Sequence, residues 1–274
     1  MDHLLLKNKV IPLEKHLEIA LQTGMVRKRY IPQKPKHENE SQQEYIQRVR
    51  MESLQYQFTK IANKFVAFGV SGPIITALGK FEMIPAEVVG GKWGVHYILV
   101  FPDLKTVLAR SKIFIRIDSG CFSGMVLGDT TCDCKKQLEI AVKECVRNDA
   151  GIVIEIPGHD GRGWGEYKMA NQRLMYELGI DTVEAAKRYY EKIPDRRTFD
   201  ECVLVLRALG LTKQHSFDLG TNSPLKIKYF LQAGFNIIQK PLVSDKLTET
   251  AKRGLIAKAT EWGHTIRQEH INKK

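Results

Sequence analysis

Apolar and polar positions follow two different regimes along this 274-residue chain. In the first 70 residues the spacing is helical, and residues 1–30 and 43–70 predict helices. In the second stretch, from Gln43 to Phe68, the residues Leu54, Phe58, Ile61 and Phe65 recur every three or four positions. Such a stripe predicts a helix laid on the body of the protein. Between the two, Pro32 to Ser41 is polar and proline-bearing, which predicts an exposed loop or linker. Ser71-Gly72-Pro73 punctuates the chain again. A boundary there divides a helical N-terminal extension, residues 1–71, from a main domain, residues 72–274.

Past that boundary, short apolar runs alternate with helical periods. Tyr97 to Phe101, Lys112 to Ile117 and Gly151 to Ile156 read as strands. Lys135 to Val146 reads as a helix with Leu138, Ala141, Val142 and Cys145 on one face. Glu166 to Leu178 is a second helix, stopped by Gly179. Thr198 and Glu201 have the spacing of a capping box, and the helix they open runs to Gly210 with Cys202, Val205, Leu206 and Leu209 on its core face. His215 to Leu219 and Phe235 to Gln239 are further strands. This alternation predicts a mixed α/β domain. No internal repeat or low-complexity tract interrupts it.

A chain of this length buries one large core or two smaller ones. A hydrophobic share of 43% and a charged share of 27% are ordinary for a globular protein. No apolar run approaches the roughly 20 residues that span a membrane. Met1 to Lys7 lacks the apolar core of a signal peptide, so the expected location is cytoplasmic. The net charge of +11 favours anionic partners. Nucleic-acid modules cluster their Lys and Arg among aromatics; here the basic residues are spread, and bulk charge does not separate a polyphosphate ligand from a nucleic acid.

Five cysteines, two of them in a C-x-C, do not make a disulfide framework. Cys145 and Cys202 fall on apolar helical positions and belong to the core. Cys121 is followed after ten residues by Cys132-Asp133-Cys134. Paired cysteines are often plain buried thiols. Three soft ligands with no fourth nearby point instead to a zinc ion with one open position. An open zinc lowers the pKa of its water to about 7.

Three other segments carry chemistry. Pro157 to Gly165 leaves a predicted strand and enters a predicted helix, with glycines at 158, 161, 163 and 165. It is either a structural turn or a binding loop, and Arg162 at its centre offers a fork for an anion. Thr221-Asn222-Ser223-Pro224 has the signature of a helix start and precedes Lys226. It is either a simple cap or a phosphate site. Asp195-Arg196-Arg197 is either a solvated turn or a pair in which Asp195 moves a proton and Arg197 acts on phosphate.

Taken in order, these pieces resemble GTP cyclohydrolase II over about residues 72–265. The family's C-x10-C-x-C is present as Cys121, Cys132 and Cys134, followed by Gln137. Gly161-Arg162 matches its E-G-R loop, with Asp160 in the acidic position, and Asp181 to Ala185 matches D-T-V-E-A. Asp195 and Arg197 match the D-x-R pair, Thr221, Asn222 and Pro224 match T-N-N-P, and Lys258-Ala259 with Gly263-His264 resembles the K-A-x-x-x-G-H tail.

The resemblance implies an α/β GTP cyclohydrolase II-like fold, a homodimer and one catalytic Zn²⁺ on the three cysteines. It implies hydrolytic opening of the guanine ring at C8, with release of formate and pyrophosphate, at the start of riboflavin biosynthesis. Mg²⁺ would accompany the triphosphate. Asp195 takes the base role and Arg197 faces the α-phosphorus. Arg116, Arg162, Thr221 and Lys226 hold the nucleotide, and Ser119, Gln137, Asp160, Gly161, Arg173 and Thr182 complete the substrate-binding set.

Several lining positions depart from the family. Its R-V-H-S-E-C reads Arg116-Ile117-Asp118-Ser119-Gly120-Cys121, and its Q-E-G-R reads His159-Asp160-Gly161-Arg162. Its active-site tyrosine falls on Arg173, and the Asn after D-T-V-E-A is Ala186. A polar site matched to one base rejects others when partners go unpaired. The sequence therefore leaves three readings open. One is GTP ring opening. Another is ring opening of a different nucleotide, such as UMP in uracil breakdown, or of GTP only to a formamide. The third is a non-enzymatic nucleotide or RNA binder.

Overall fold

The computed structural model describes residues 12–53 and 55–266, and their strands form one mixed sheet. In chain order the elements begin with α1 (Leu13–Gln22), β1 (Val26–Arg27), α2 (Gln42–Ser53), β2 (Gln57–Ile61), β3 (Lys64–Phe68), β4 (Gly72–Thr76), β5 (Gly79–Val88) and β6 (Val95–Phe101). They continue with α3 (Leu104–Leu108), β7 (Lys112–Asp118), α4 (Phe122–Met125), α5 (Cys134–Arg147), β8 (Gly151–Glu155) and a kinked turn, α6 (Asp160–Gly163). The last are α7 (Lys168–Leu178), α8 (Thr182–Tyr190), α9 (Asp200–Leu209), β9 (Ser216–Gly220), α10 (Pro224–Gln232), β10 (Asn236–Lys240) and α11 (Glu249–Trp262).

The sheet order is β1-β2-β3-β5-β6-β8-β7-β9-β10, with β4 paired to β5 beside this path. From β2 to β8 every pairing is antiparallel; β8, β7, β9 and β10 are parallel. β7 is buried at every position but its first, as a parallel strand covered on both faces must be. α5 covers one face, where Ala141 and Cys145 pack with Phe114 and Val153. α9 covers the other with Cys202, Val205, Leu206 and Leu209. From β7 the chain crosses to β8 on one side, and from β9 it crosses to β10 on the other. The seam between β7 and β9 is thus a topological switch point, where open α/β sheets bind ligands beyond the carboxyl ends of their strands.

Three readings of the sequence change. Residues 55–68 are not helical: β2 and β3 form an antiparallel hairpin turned at Ala62, whose φ is 53°. The spacing of Phe58, Ile61 and Phe65 imitates a helix, but Phe58 is buried from a strand, packed with Ala67 and Ala20; Leu54 lies outside the described residues. Because β3 pairs with β5, the sheet runs on past Ser71-Gly72 without a break. The first helix covers only Leu13–Gln22, and residues 1–11 lie outside the described residues. Thr198 and Glu201 do not cap α9. Thr198 Oγ1 accepts from Trp93 Nε1 (2.9 Å), and Glu201 Oε1 accepts from the Lys92 amide (2.6 Å). Both polar atoms are drawn to long-range partners.

Candidate active site

Arg116 and Asp118 stand two residues apart on β7 and so project to the same face. Asp118 Oδ1 accepts from Arg116 Nε at 2.9 Å and lies 2.7 Å from its Nη2. Arg116 also donates to the Gly220 carbonyl (3.1 Å) across the seam and to Gln137 Oε1 (3.0 Å). Gln137 is held in turn through Nε2 by Asp133 Oδ2 at 2.7 Å. Glu155 lies opposite Asp118 in the β7–β8 register. Burial and the neighbouring Asp118 charge push its carboxyl up to about 9. Lys226, buried on α10, donates to the Ile117 carbonyl (2.7 Å). Burial and the nearby Arg116 and Arg197 charges push its pKa well down.

Past β7 the chain turns through Gly120, where a Cβ would meet the Ile156 carbonyl at 2.8 Å, and delivers Cys121 to the start of α4. Cys134 opens α5. The Sγ atoms of Cys121, Cys132 and Cys134 all lie within 4.8 Å of one another, the one such group of metal-binding side chains among the described residues. Cys121 and Cys132 sulfurs are 3.8 Å apart. Two thiolates bound at about 2.3 Å to one tetrahedral zinc stand about 3.8 Å apart, so the donor set fits that ion. Gly124 makes room for it: a Cβ there would lie 2.7 Å from Cys132 Sγ and 3.1 Å from Cys121 Sγ. Thiol hydrogen bonds from Cys132 and Cys134 pull Cys121 down to about 2, while Cys132 is pushed up to about 11 and Cys134 well up. A metal ion bound by the three sulfurs would displace their protons.

The loop after β8 supplies the facing wall. Gly161 (φ 58°) and Arg162 (φ 62°) are both left-handed. For Arg this costs about 1–2 kcal/mol, and a bond from the Arg196 amide to the Arg162 carbonyl (3.0 Å) helps hold it. Arg162 Nη2 donates to Thr182 Oγ1 (2.5 Å), and its guanidinium lies 5.0 Å from the Trp262 ring centre. Asp181 caps α8 by accepting from the amides of Val183 (2.7 Å) and Glu184 (3.0 Å), which sets Thr182 at the helix start. Asp160 pairs with Lys168 at 2.9 Å. Thr221 directly follows β9 and accepts through Oγ1 from the Ser223 amide at 3.1 Å. Ser119 Oγ is buried without a hydrogen-bond partner.

Asp195 grips Arg197 on two edges, Nε–Oδ1 at 2.9 Å and Nη2–Oδ2 at 2.5 Å. Burial opposes the charge on Asp195, but Arg197 outweighs it and holds the carboxyl below its usual range. The cleft gathers Arg197 with Arg116, Ser119, Gln137, Asp160, Gly161, Arg162, Thr182, Thr221, Lys226 and the three cysteines.

Two expected site residues are not on its wall. Asp195 stands behind Arg197. Arg173 is exposed on α7, whose inner face is Lys168, Asn171, Gln172 and Met175, so the 3.6-residue period turns position 173 away. The wall also holds Tyr190 and Trp262, which the sequence did not single out, and Asp118 and His159, which it marked only as departures from the family pattern. His159 is fully buried, edge-on to Trp93 and Phe199, with both ring nitrogens unpartnered. The sequence marked its position as a departure from the family's Q-E-G-R, but not its burial.

The family model for GTP cyclohydrolase II matches residues 70–241, a span that holds every cleft residue from Arg116 to Lys226. The chain belongs to the GTP cyclohydrolase II family. That family's GTP cyclohydrolase-2 from Proteus mirabilis is 31% identical over 193 residues, 70% of this chain and 92% of its own length. GTP cyclohydrolase-2 from Archaeoglobus fulgidus is 36% identical over 157 residues, 56% of this chain and 39% of its own. A riboflavin biosynthesis protein of Chlamydia muridarum is 28% identical over 178 residues, 65% of this chain and 40% of its own. The GTP cyclohydrolase II match leaves out α1, α2, β1, β2, β3 and the α11 wall with Trp262 and His264. Among the described residues no helix is long and apolar enough to cross a membrane.

Proposed function

We propose that this protein is a zinc-dependent hydrolase that opens the imidazole ring of GTP at C8, with loss of formate and pyrophosphate, as a step of riboflavin biosynthesis. The observation that carries this reading is the three-thiol cluster set in the same cleft as Arg197, which Asp195 grips from behind. Cys121, Cys132 and Cys134 hold the zinc, which supplies Lewis acidity and an acidified water when bound. Asp195 fixes the Arg197 fork toward the phosphate chain and so acts through it. Arg162 and Thr182 take the phosphate end, and Ser119 Oγ, buried and unpartnered, is free to bond substrate. Asp160 and Lys168 neutralise each other and orient the loop. Mg²⁺ accompanies the triphosphate and the active form is a homodimer, both on the family's pattern.

A second reading rests on one observation: Asp118 engages Arg116 inside the cleft where the family carries His. An added carboxylate there changes what a base or phosphate meets, and favours ring opening of another nucleotide such as UMP. A panel of GTP, GMP, UMP, uridine and CTP, offered to zinc-loaded protein with formate, pyrophosphate and ultraviolet absorbance followed, separates the two. Formate and pyrophosphate from GTP support the first. Loss of the pyrimidine band with UMP and silence with GTP replace it by the second, and silence with every compound refutes both.

A further inference from the structure

Tyr190, the last residue of α8, is 9% exposed and stands on the cleft wall. Its ring is stacked on Trp164, with centroids 4.4 Å apart and planes 5° from parallel. Trp164 is fixed in turn, donating through Nε1 to the Ile193 carbonyl (3.2 Å) and lying 4.5 Å from the Arg196 guanidinium. The edge of Tyr189 meets the Tyr190 ring at 4.8 Å. The ring is therefore packed between Trp164 and Tyr189, yet its hydroxyl is buried and has no hydrogen-bond partner. An unsatisfied buried hydroxyl weakens a fold and is rare unless a ligand satisfies it.

Arg162 stands close by, near enough that its charge favours the ionised Tyr190 phenol against burial. Among the described residues Arg162 forms no ion pair; its one side-chain hydrogen bond is to Thr182. A phenol donor and a guanidinium with no direct ion-pair partner among the described residues, on one wall, call for the same complement, an anionic oxygen.

We propose that Tyr190 is a further substrate-contacting residue, whose phenol donates a hydrogen bond to the phosphate oxygen that Arg162 holds. Trp164 and Arg196 are its positioning residues. The assignment rests on the nucleotide reading of the cleft.

The test is Tyr190→Phe in the full chain, which keeps the stack and removes only the hydroxyl, with Tyr189→Phe as control. Calorimetric titration uses GTP, GMP, UMP, inorganic pyrophosphate and phosphate-free guanosine. A hydrogen bond to a charged acceptor carries about a tenfold or larger change in affinity. Tyr190→Phe therefore binds the phosphate-bearing compounds about tenfold more weakly and guanosine as wild type does, while the ligand-free melting temperature does not fall. Equal affinity for the phosphate compounds in both proteins overturns the role of Tyr190 and leaves the nucleotide reading standing. Absence of binding by wild type overturns both. Should the variant not fold, alkaline titration of tyrosine absorbance in wild type carries the test: pyrophosphate raises the titration of one phenol, and an unmoved titration overturns the proposal.

Discussion

Asp118 holds the guanidinium of Arg116, two residues before it on the same strand, at 2.9 Å and 2.7 Å. With Gly220 and Gln137 also engaged, Arg116 has bonds on both terminal nitrogens and on Nε, which makes it a strut across the β7–β9 seam. Removing one member of a buried pair leaves the other charge uncompensated and costs about 3–5 kcal/mol. Asp118→Asn is expected to lower unfolding free energy by about that amount in urea titration. Because a phosphate can replace the lost anion, GTP should raise the melting temperature of the variant more than that of wild type. An equal rise in both proteins would show that Arg116 does not meet the ligand.

Cysteine-to-serine changes at Cys121, Cys132 or Cys134 are expected to abolish zinc retention on dialysis, measured by atomic emission, together with turnover. Gly124→Ala offers a subtler test, since its methyl would press on Cys132 Sγ from 2.7 Å. Its zinc affinity should fall at least tenfold with the cysteines intact, as read by competition with a chromogenic chelator. Zinc bound as tightly as in wild type would mean that the sulfurs have room to shift.

Asp195→Asn should cut kcat at least a hundredfold while zinc content stays unchanged, because the Arg197 fork loses its counter-charge and meets an amide NH2 in place of one of its two anchoring oxygens. Arg173→Ala should leave kcat/KM within about twofold and stability within about 0.5 kcal/mol, as befits an exposed residue off the cleft. A large loss from Arg173→Ala would restore the role that its position in the family pattern suggests.

Stability should depend on pH from two sides. Glu155 titrates at about 9 in the fold, above its value in an unfolded chain. Between roughly pH 4.5 and 9 the folded protein thus keeps a proton that the unfolded chain has lost. This contribution falls as pH rises across that window, by at most about 1.4 kcal/mol per pH unit, and Glu155→Gln should flatten the slope. On the acid side, burial brings His159 to about 2 and His264 to about 3. Their unfolded forms take up protons below about pH 6.5 while the folded forms do not. Stability should therefore also fall as pH drops from there, and less steeply in His159→Gln. Urea midpoints across pH 4 to 9 check both signs.

The parallel half of the sheet was legible because β7, β8 and β9 are short apolar runs buried on both faces, each bounded by a helix of clear period. In the antiparallel half only β6 was, as the apolar run Tyr97 to Phe101. In residues 55–68, Phe58, Ile61 and Phe65 keep a helical interval by coincidence, and only pairing with β5 identifies the strand. The three cysteines could be read from spacing alone, because they sit close in sequence and their chemistry is narrow. Tyr190 could not, and His159 only as a departure from the family pattern, since what marks both is an unpartnered polar atom, a property of the packed molecule. The bond from Arg116 to Asp118 was equally hidden, because it depends on how two neighbours on one strand face each other.

The way β5 is shared carries a consequence for handling the protein. Its first half is paired to β4 and its second half to β3, so residues before Gly72 supply part of the sheet's backbone bonding. Cutting the chain at Gly72 would strip β1, β2 and β3 and bare the β5 amides at Val88 and its neighbours, an adhesive border that invites other chains. Such a truncated protein should precipitate or polymerise even with every cleft residue in place, and any dissection of the catalytic unit has to carry its N-terminal hairpin along.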